Sequence, residues 1–231
     1  ASVIVDTCGT SPSTSWAEPL ATTSEARLDI RPKPPTTGNI SPAATTLVVG
    51  DSVTVVSKAR IEARIAGVQV SAAPGAQTVH AVDLVRSGAD AGTPRLVLLL
   101  GHADLYARSS APQLGTLADQ AARYPCAVWL LVATKVDVTD RPTPYYGRGA
   151  AIAWNQRVAK VAAPRGIHVE PRWRDAVDGS PPGTYTSSDG LHPNAAGQDL
   201  LARIMASSLQ RCSGATALGT VGSGATARRG E

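Results

Sequence analysis

Three side chains in this sequence have the types and settings needed for nucleophilic catalysis by a hydroxyl. Ser52 lies in "VVGDSVT" (48–54), where a short apolar run gives way to helical spacing. Asp189 and His192 lie three positions apart in "TYTSSDGLHPNAAGQDLLARIM" (184–205), just ahead of an amphipathic run. A serine hydroxyl is a weak nucleophile. It needs a base to take its proton, and that base needs an acceptor for its other ring nitrogen. A carboxylate three residues before an imidazole can reach Nδ1 within one turn and leave Nε2 free for the hydroxyl. Each stretch also has a plainer reading. Asp and Ser commonly start helices, and a lone D-x-x-H can be a polar turn capping the last helix, with His192 a surface side chain.

The elements that would position these groups can be read from the apolar pattern. Of 231 residues 43% are hydrophobic, yet Phe is absent and Tyr plus Trp number nine, so the core must be built from Val, Leu, Ile and Ala. Such a core suits a parallel sheet buried between helices. "TTLVVG", "GVQVSA", "RLVLLLG", "AVWLLVAT" and "IHVEPRW" read as strands. They alternate with helical patterns in "VTVVSKARIEARIA", "QTVHAVDLVRSGA", "QLGTLADQAARY", "AIAWNQRVAKVAA" and "NAAGQDLLARIMASSLQ". The expected fold is an α/β three-layer sandwich: a flavodoxin-like, five-stranded parallel sheet with helices on both faces. Ligands in such sheets bind beyond the carboxyl ends of the strands, which is where Ser52 falls. Residues 1–44 read as an extended Pro/Thr/Ser-rich arm, 45–212 as the compact domain, and 213–231 as a flexible Gly/Ala-rich tail.

With GDS after the first strand and D-G-L-H-P ahead of the final helix, the chain resembles the SGNH (GDSL-type) hydrolase superfamily of esterases, lipases and carbohydrate O-acyl enzymes, over about residues 45–210. The resemblance implies that Ser52 is the nucleophile and an oxyanion donor through its N–H, that Asp189 and His192 complete a triad, and that no metal or organic cofactor is needed. A glycine after the second strand supplies a further oxyanion N–H; Gly75 in "VSAAPGAQ" is the better match, although a tight turn alone would also explain it. The family's G-x-N-D block maps to "GHAD". Gly101 and Asp104 match, but Ala103 stands where the oxyanion-donating Asn belongs. Losing one such donor typically costs about 3 kcal/mol of transition-state stabilisation. His102 could in principle offer a replacement N–H, though an ordinary loop-edge role is the simpler reading. Asp51, His102, Asp104, Tyr145 and Arg148 are candidates to line the substrate cleft, with Tyr146 beside them.

The Pro/Thr/Ser arm and the Cys near the last helix are similar to the extracytoplasmic SGNH domains that bacteria tether behind membrane acyltransferases. That similarity implies an extracytoplasmic setting, a membrane acyltransferase domain or subunit as partner, and O-acyl groups of cell-envelope carbohydrate as substrate. A small ester is the simpler substrate, and a catalytically degenerate module binding glycan or a partner is the competing reading. No stretch approaches a membrane span and no signal-peptide order is seen, leaving a cytosolic protein or a processed piece. The net charge of +4 is scattered without interleaved aromatics, which argues against a nucleic-acid partner. "LLVATKVD" resembles a guanine-reading element, but no phosphate-binding G-x-x-x-x-G-K-[S/T] loop accompanies it. Cys8, Cys126 and Cys212 fit no zinc spacing. One disulfide with a free thiol is open, a Cys8–Cys212 bridge being attractive, and so are three buried thiols.

Overall fold

The computed structural model describes residues 40–136 and 146–219, with side chains through 212. Its five strands are β1 (Thr46–Gly50), β2 (Val68–Ala72), β3 (Arg95–Leu99), β4 (Cys126–Leu130) and β5 (His168–Glu170), all parallel in the order β2-β1-β3-β4-β5. The helices are α1 (Ser52–Arg64), α2 (Thr78–Asp90), α3 (His102–Tyr106), α4 (Leu114–Ala121), α5 (Arg148–Ala162), α6 (Arg172–Asp178) and α7 (Ala195–Gly219). This is the expected α/β three-layer arrangement.

β1 and β4 are buried at every position, and apolar apart from Thr46, because both faces of the sheet are covered. Alternate side chains serve different layers. Leu47, Val49, Leu96, Leu98 and Trp129 join residues of α2, α4 and α5 in one cluster. Val48, Val97, Leu99, Val128 and Leu130 join residues of α1, α6 and α7 in the other. The order reverses between β1 and β3, whose connections leave on opposite sides, and Ser52 begins α1 at this switch point, beyond which sheets of this kind bind ligands.

Several local expectations change. "IHVEPRW" is strand only through Glu170; Pro171 then sits at the start of α6, where its missing N–H costs nothing, and Trp173 is buried against the sheet. α3 is a single short helix within what read as loop. α7 runs on to Gly219, past the tail boundary expected at 212. Cys126 is bonded to Cys212 with Cα atoms 5.6 Å apart, so the bridge is not Cys8–Cys212; Cys8 lies outside the described residues, as does the arm through residue 39. The bond ties the C-terminal part of α7 to the first residue of β4, and the buried Glu170 at the end of β5 holds α7 a turn earlier. It accepts from Arg172, Ser208 and Arg211. Burial pushes its pKa up, but these donors outweigh it and lower the carboxyl to about 2.

Candidate active site

Ser52 is the first residue of α1, directly beyond the carboxyl end of β1, and is half-buried. Asp51 before it adopts extended backbone, and its Oδ1 accepts the Val53 N–H at 3.1 Å, satisfying one of the donors a helix start leaves free. Helix capping is therefore real here, but it belongs to Asp51 and leaves the Ser52 hydroxyl uncommitted to the cap. Strand register places two further rim segments beside it. Gly50 pairs with Ala72 and Leu99, the Ala73 N–H reaches the Gly50 carbonyl, and the Asp51 N–H reaches the Leu99 carbonyl. Gly75, at φ +73°, completes a turn closed by Ala76 N–H to Ala73 O, a backbone that favours glycine. Gly101, at φ +131°, lies under the Trp154 indole: a Cβ there would come within 2.3 Å of Nε1. The turns after β2, β1 and β3 thus share one rim.

Asp189 and His192 occupy a tight hairpin just ahead of α7. An antiparallel bridge joins Thr186 to Pro193, the Ser187 N–H donates to the His192 carbonyl, and the Gly190 N–H, with φ +69°, closes the tip on Ser187 O. His192 Nδ1 lies 2.5 Å from Asp189 Oδ2. Asp189 Oδ1 accepts from the Ser187 hydroxyl and from the N–H groups of Leu191 and His192, each at 3.0 Å. Partial burial pushes the Asp189 pKa up, but the His192 hydrogen bond and these backbone donors outweigh it and hold the carboxyl below its usual range. Since a carboxylate only accepts, Nδ1 carries the hydrogen and Nε2 is free as an acceptor. Asn194 locks the hairpin onto α7. Its Nδ2 donates to the carbonyls of Gly183, Thr184 and Thr186, and its Oδ1 caps the Gly197 N–H.

α1 and α7 pack against each other on one face of the sheet, so the hairpin ahead of α7 lies toward the edge at which α1 begins. Because Cys212 is bonded to the first residue of β4, α7 runs from the carboxyl edge of the sheet toward its amino edge, as α1 does. Arg60 Nε and Asp199 Oδ1, 3.5 Å apart, set the register between the two helices. Ser52 lies a little over two turns back from Arg60 at the start of α1, and Ala195, where α7 starts, lies about one turn back from Asp199, with the hairpin just ahead of it.

The other candidates divide. Asp51, His102 and Asp104 are buried groups rather than cleft-lining ones, 0%, 3% and 1% exposed. His102 Nδ1 is 3.1 Å from Asp51 Oδ2. Asp104 accepts from the N–H and hydroxyl of Thr78, tying α3 to the start of α2; burial holds its pKa up, and the nearby Asp51 adds to this. Tyr146 is also buried, its hydroxyl donating to the Ala133 carbonyl. Arg148 is exposed at the start of α5, and Tyr145 lies outside the described residues. Ala103 is half-buried in α3 and offers no side-chain donor. Ser187 and Asn194 were not singled out in the sequence. Asn194 had a signal, an Asn just before a helical run, whereas Ser187 had none beyond lying two residues before Asp189. Among the described residues no group of three His, Cys, Asp or Glu could hold a metal ion.

A model of the GDSL-like lipase/acylhydrolase family matches residues 48–200, and the chain belongs to that family, the SGNH hydrolases. Solved structures share the fold. A lipase/acylhydrolase from Enterococcus faecalis matches with a TM-score of 0.59 at 17% identity, covering 72% of this chain and 95% of the other. The C-terminal catalytic domain of a peptidoglycan O-acetyltransferase from Streptococcus pneumoniae, carrying a methylsulfonyl adduct, matches at 0.54 and 18%, covering 74% and 96%. A mutant of an acetyl-xylooligosaccharide esterase from Geobacillus Stearmophilus matches at 0.54 and 13%, also covering 74% and 96%. No curated protein matches the chain.

Proposed function

We propose that the protein is a serine esterase or O-acyltransferase that works through an acyl-serine intermediate on O-acyl esters of cell-envelope carbohydrate. The observation that supports this reading is the Asp189–His192 pair on the hairpin ahead of α7, whose contact through Nδ1 leaves Nε2 without a hydrogen-bond partner among the described residues, together with Ser52 at the start of α1. Ser52 Oγ attacks the ester carbonyl while His192 Nε2 takes its proton. The tetrahedral oxyanion receives the N–H groups of Ser52 and Gly75, and the positive end of α1 favours the same charge. His192 returns the proton to the leaving alcohol, releasing it and leaving the acyl group on Ser52. Water or a sugar hydroxyl, deprotonated by His192, then attacks the acyl carbon and frees the serine. Asp189 orients the imidazole and stabilises its charged form.

The carbohydrate substrate and extracytoplasmic setting draw support from likeness in fold to the O-acetyltransferase domain and from the Cys126–Cys212 disulfide, a bond that persists in oxidising compartments. Among the described residues no helix is long and apolar enough to cross a membrane, so a membrane acyltransferase domain or subunit would be a separate element. Hydrolysis of nitrophenyl acetate, with and without glycan oligosaccharide acceptors, tests the reading. Ester cleavage lost in Ser52→Ala supports it, acyl-glycan formation identifies transfer, and a folded wild type that cleaves no ester contradicts it. Ala103 favours one competing reading, a module that binds glycan or a partner in the same cleft; saturable oligosaccharide binding by a wild type inert to serine-directed probes would establish it.

A further inference from the structure

Beneath the nucleophile lies a second Asp–His pair that the proposed proton transfers do not use. His102 Nδ1 is 3.1 Å from Asp51 Oδ2, and both side chains are removed from solvent, 2% and 0% exposed. The partners come from different rim segments. Asp51 ends the β1 turn and His102 begins α3 after β3, strands that are neighbours in the sheet. Asp51 has two oxygens and each has one duty: Oδ1 holds the Val53 N–H and Oδ2 holds the imidazole. The carboxylate is thereby fixed at both ends, and it belongs to the residue directly before Ser52.

We infer that His102 is a positioning residue for the proposed reaction, acting through Asp51 to hold the turn that aims the Ser52 hydroxyl and N–H. The inference rests on the serine-nucleophile reading. It also follows from what this chain lacks. With Ala103 in place of a side-chain donor, backbone N–H groups must carry the oxyanion, and they donate well only if their peptide planes stay in place. An unpinned Asp51 carboxylate could rotate from the Val53 N–H, loosening the first turn of α1. A shift well under 1 Å in a reacting group is enough to slow chemistry while leaving substrate affinity intact.

The test compares His102→Asn with His102→Gln. Asn places an amide N–H near the position of Nδ1, whereas Gln carries its amide one atom further out. Wild type is first treated with a sulfonyl fluoride and assayed on nitrophenyl acetate. The expected result is a kcat for His102→Asn within about threefold of wild type. For His102→Gln a drop of roughly tenfold or more is expected, with KM unchanged and Ser52 sulfonylation slowed in parallel. Thermal unfolding of the two variants provides the control, since a purely structural role would lower both stabilities and leave kcat per folded molecule at the wild-type value. That outcome, or equal kcat in Asn and Gln variants, overturns the inference while leaving the serine reading intact. If Gln does not fold, Asn alone decides it, because an Asn variant that folds yet loses tenfold in kcat contradicts the inference. A wild type unreactive at Ser52 removes the serine reading and this inference with it.

Discussion

Two Asp–His pairs among the described residues are made of the same atoms and set in opposite surroundings. Asp189 and His192 sit 2.5 Å apart on a hairpin, their side chains 31% and 28% exposed, inside a single turn of chain. Asp51 and His102 sit 3.1 Å apart with almost no exposure, brought together from two strand ends. On the proposed reading, the difference means that composition does not separate a proton carrier from a brace. A pair that must exchange protons with a nucleophile and a leaving group needs one free ring nitrogen open to the cleft. A pair sealed from solvent can only hold its own backbone in place.

Mutation should break the two pairs in different ways. The largest expected effect is at the open one: Ser52→Ala and His192→Ala should each lower kcat/KM on nitrophenyl acetate by about ten-thousandfold or more, with thermal midpoints close to wild type. Asp189→Asn should follow at roughly a thousandfold, because the amide orients the wrong tautomer and cannot support the imidazolium. The comparison sharpens at Ala103. Asn at this position restores a side-chain donor, and kcat should rise by up to about a hundredfold; no change in a folded Ala103→Asn variant would mean that the anion sits elsewhere.

Acid unfolding offers a sharper view through Glu170, a third carboxylate, at the end of the edge strand β5. Its folded pKa, about 2, lies below its unfolded value near 4.5, so its stabilisation is present in full above about pH 4.5 and is lost as pH falls toward 2. Roughly 3 kcal/mol is involved. Urea titrations across that window should show a steep loss for wild type and a shallower one for Glu170→Gln. The depressed Asp189 carboxyl acts in the same direction, its contribution vanishing as pH drops below the ordinary Asp range. The smallest effect belongs to Ser187→Ala, a few-fold loss in kcat, since two backbone N–H groups still hold Asp189 Oδ1.

How far the sequence could be read follows the same division. The five strands, their parallel direction and the place of Ser52 just beyond β1 were legible because apolar runs of strand length alternate with helical spacing, and right-handed crossovers leave few ways to assemble them. Asp189 and His192 were legible because their contact is local. Asp51 with His102, and Asp104 with Thr78, were not, since each contact depends on which strand ends are neighbours, and they turned candidate cleft residues into buried ones. α6 was missed because Trp173, a residue common in strands, read as the end of the strand, while Pro171 ends the strand and α6 begins at Arg172. The disulfide partner of Cys212 could not be read either, as it depends on α7 returning to the foot of β4.

The most direct measurement of the central claim is the site and rate of sulfonylation by a small sulfonyl fluoride, read by peptide mass spectrometry in wild type and His192→Ala. A single adduct on Ser52 in wild type, forming at least about a hundredfold more slowly without the imidazole, is the predicted result. An adduct elsewhere, or a Ser52 adduct that forms at the same rate in His192→Ala, would contradict the account.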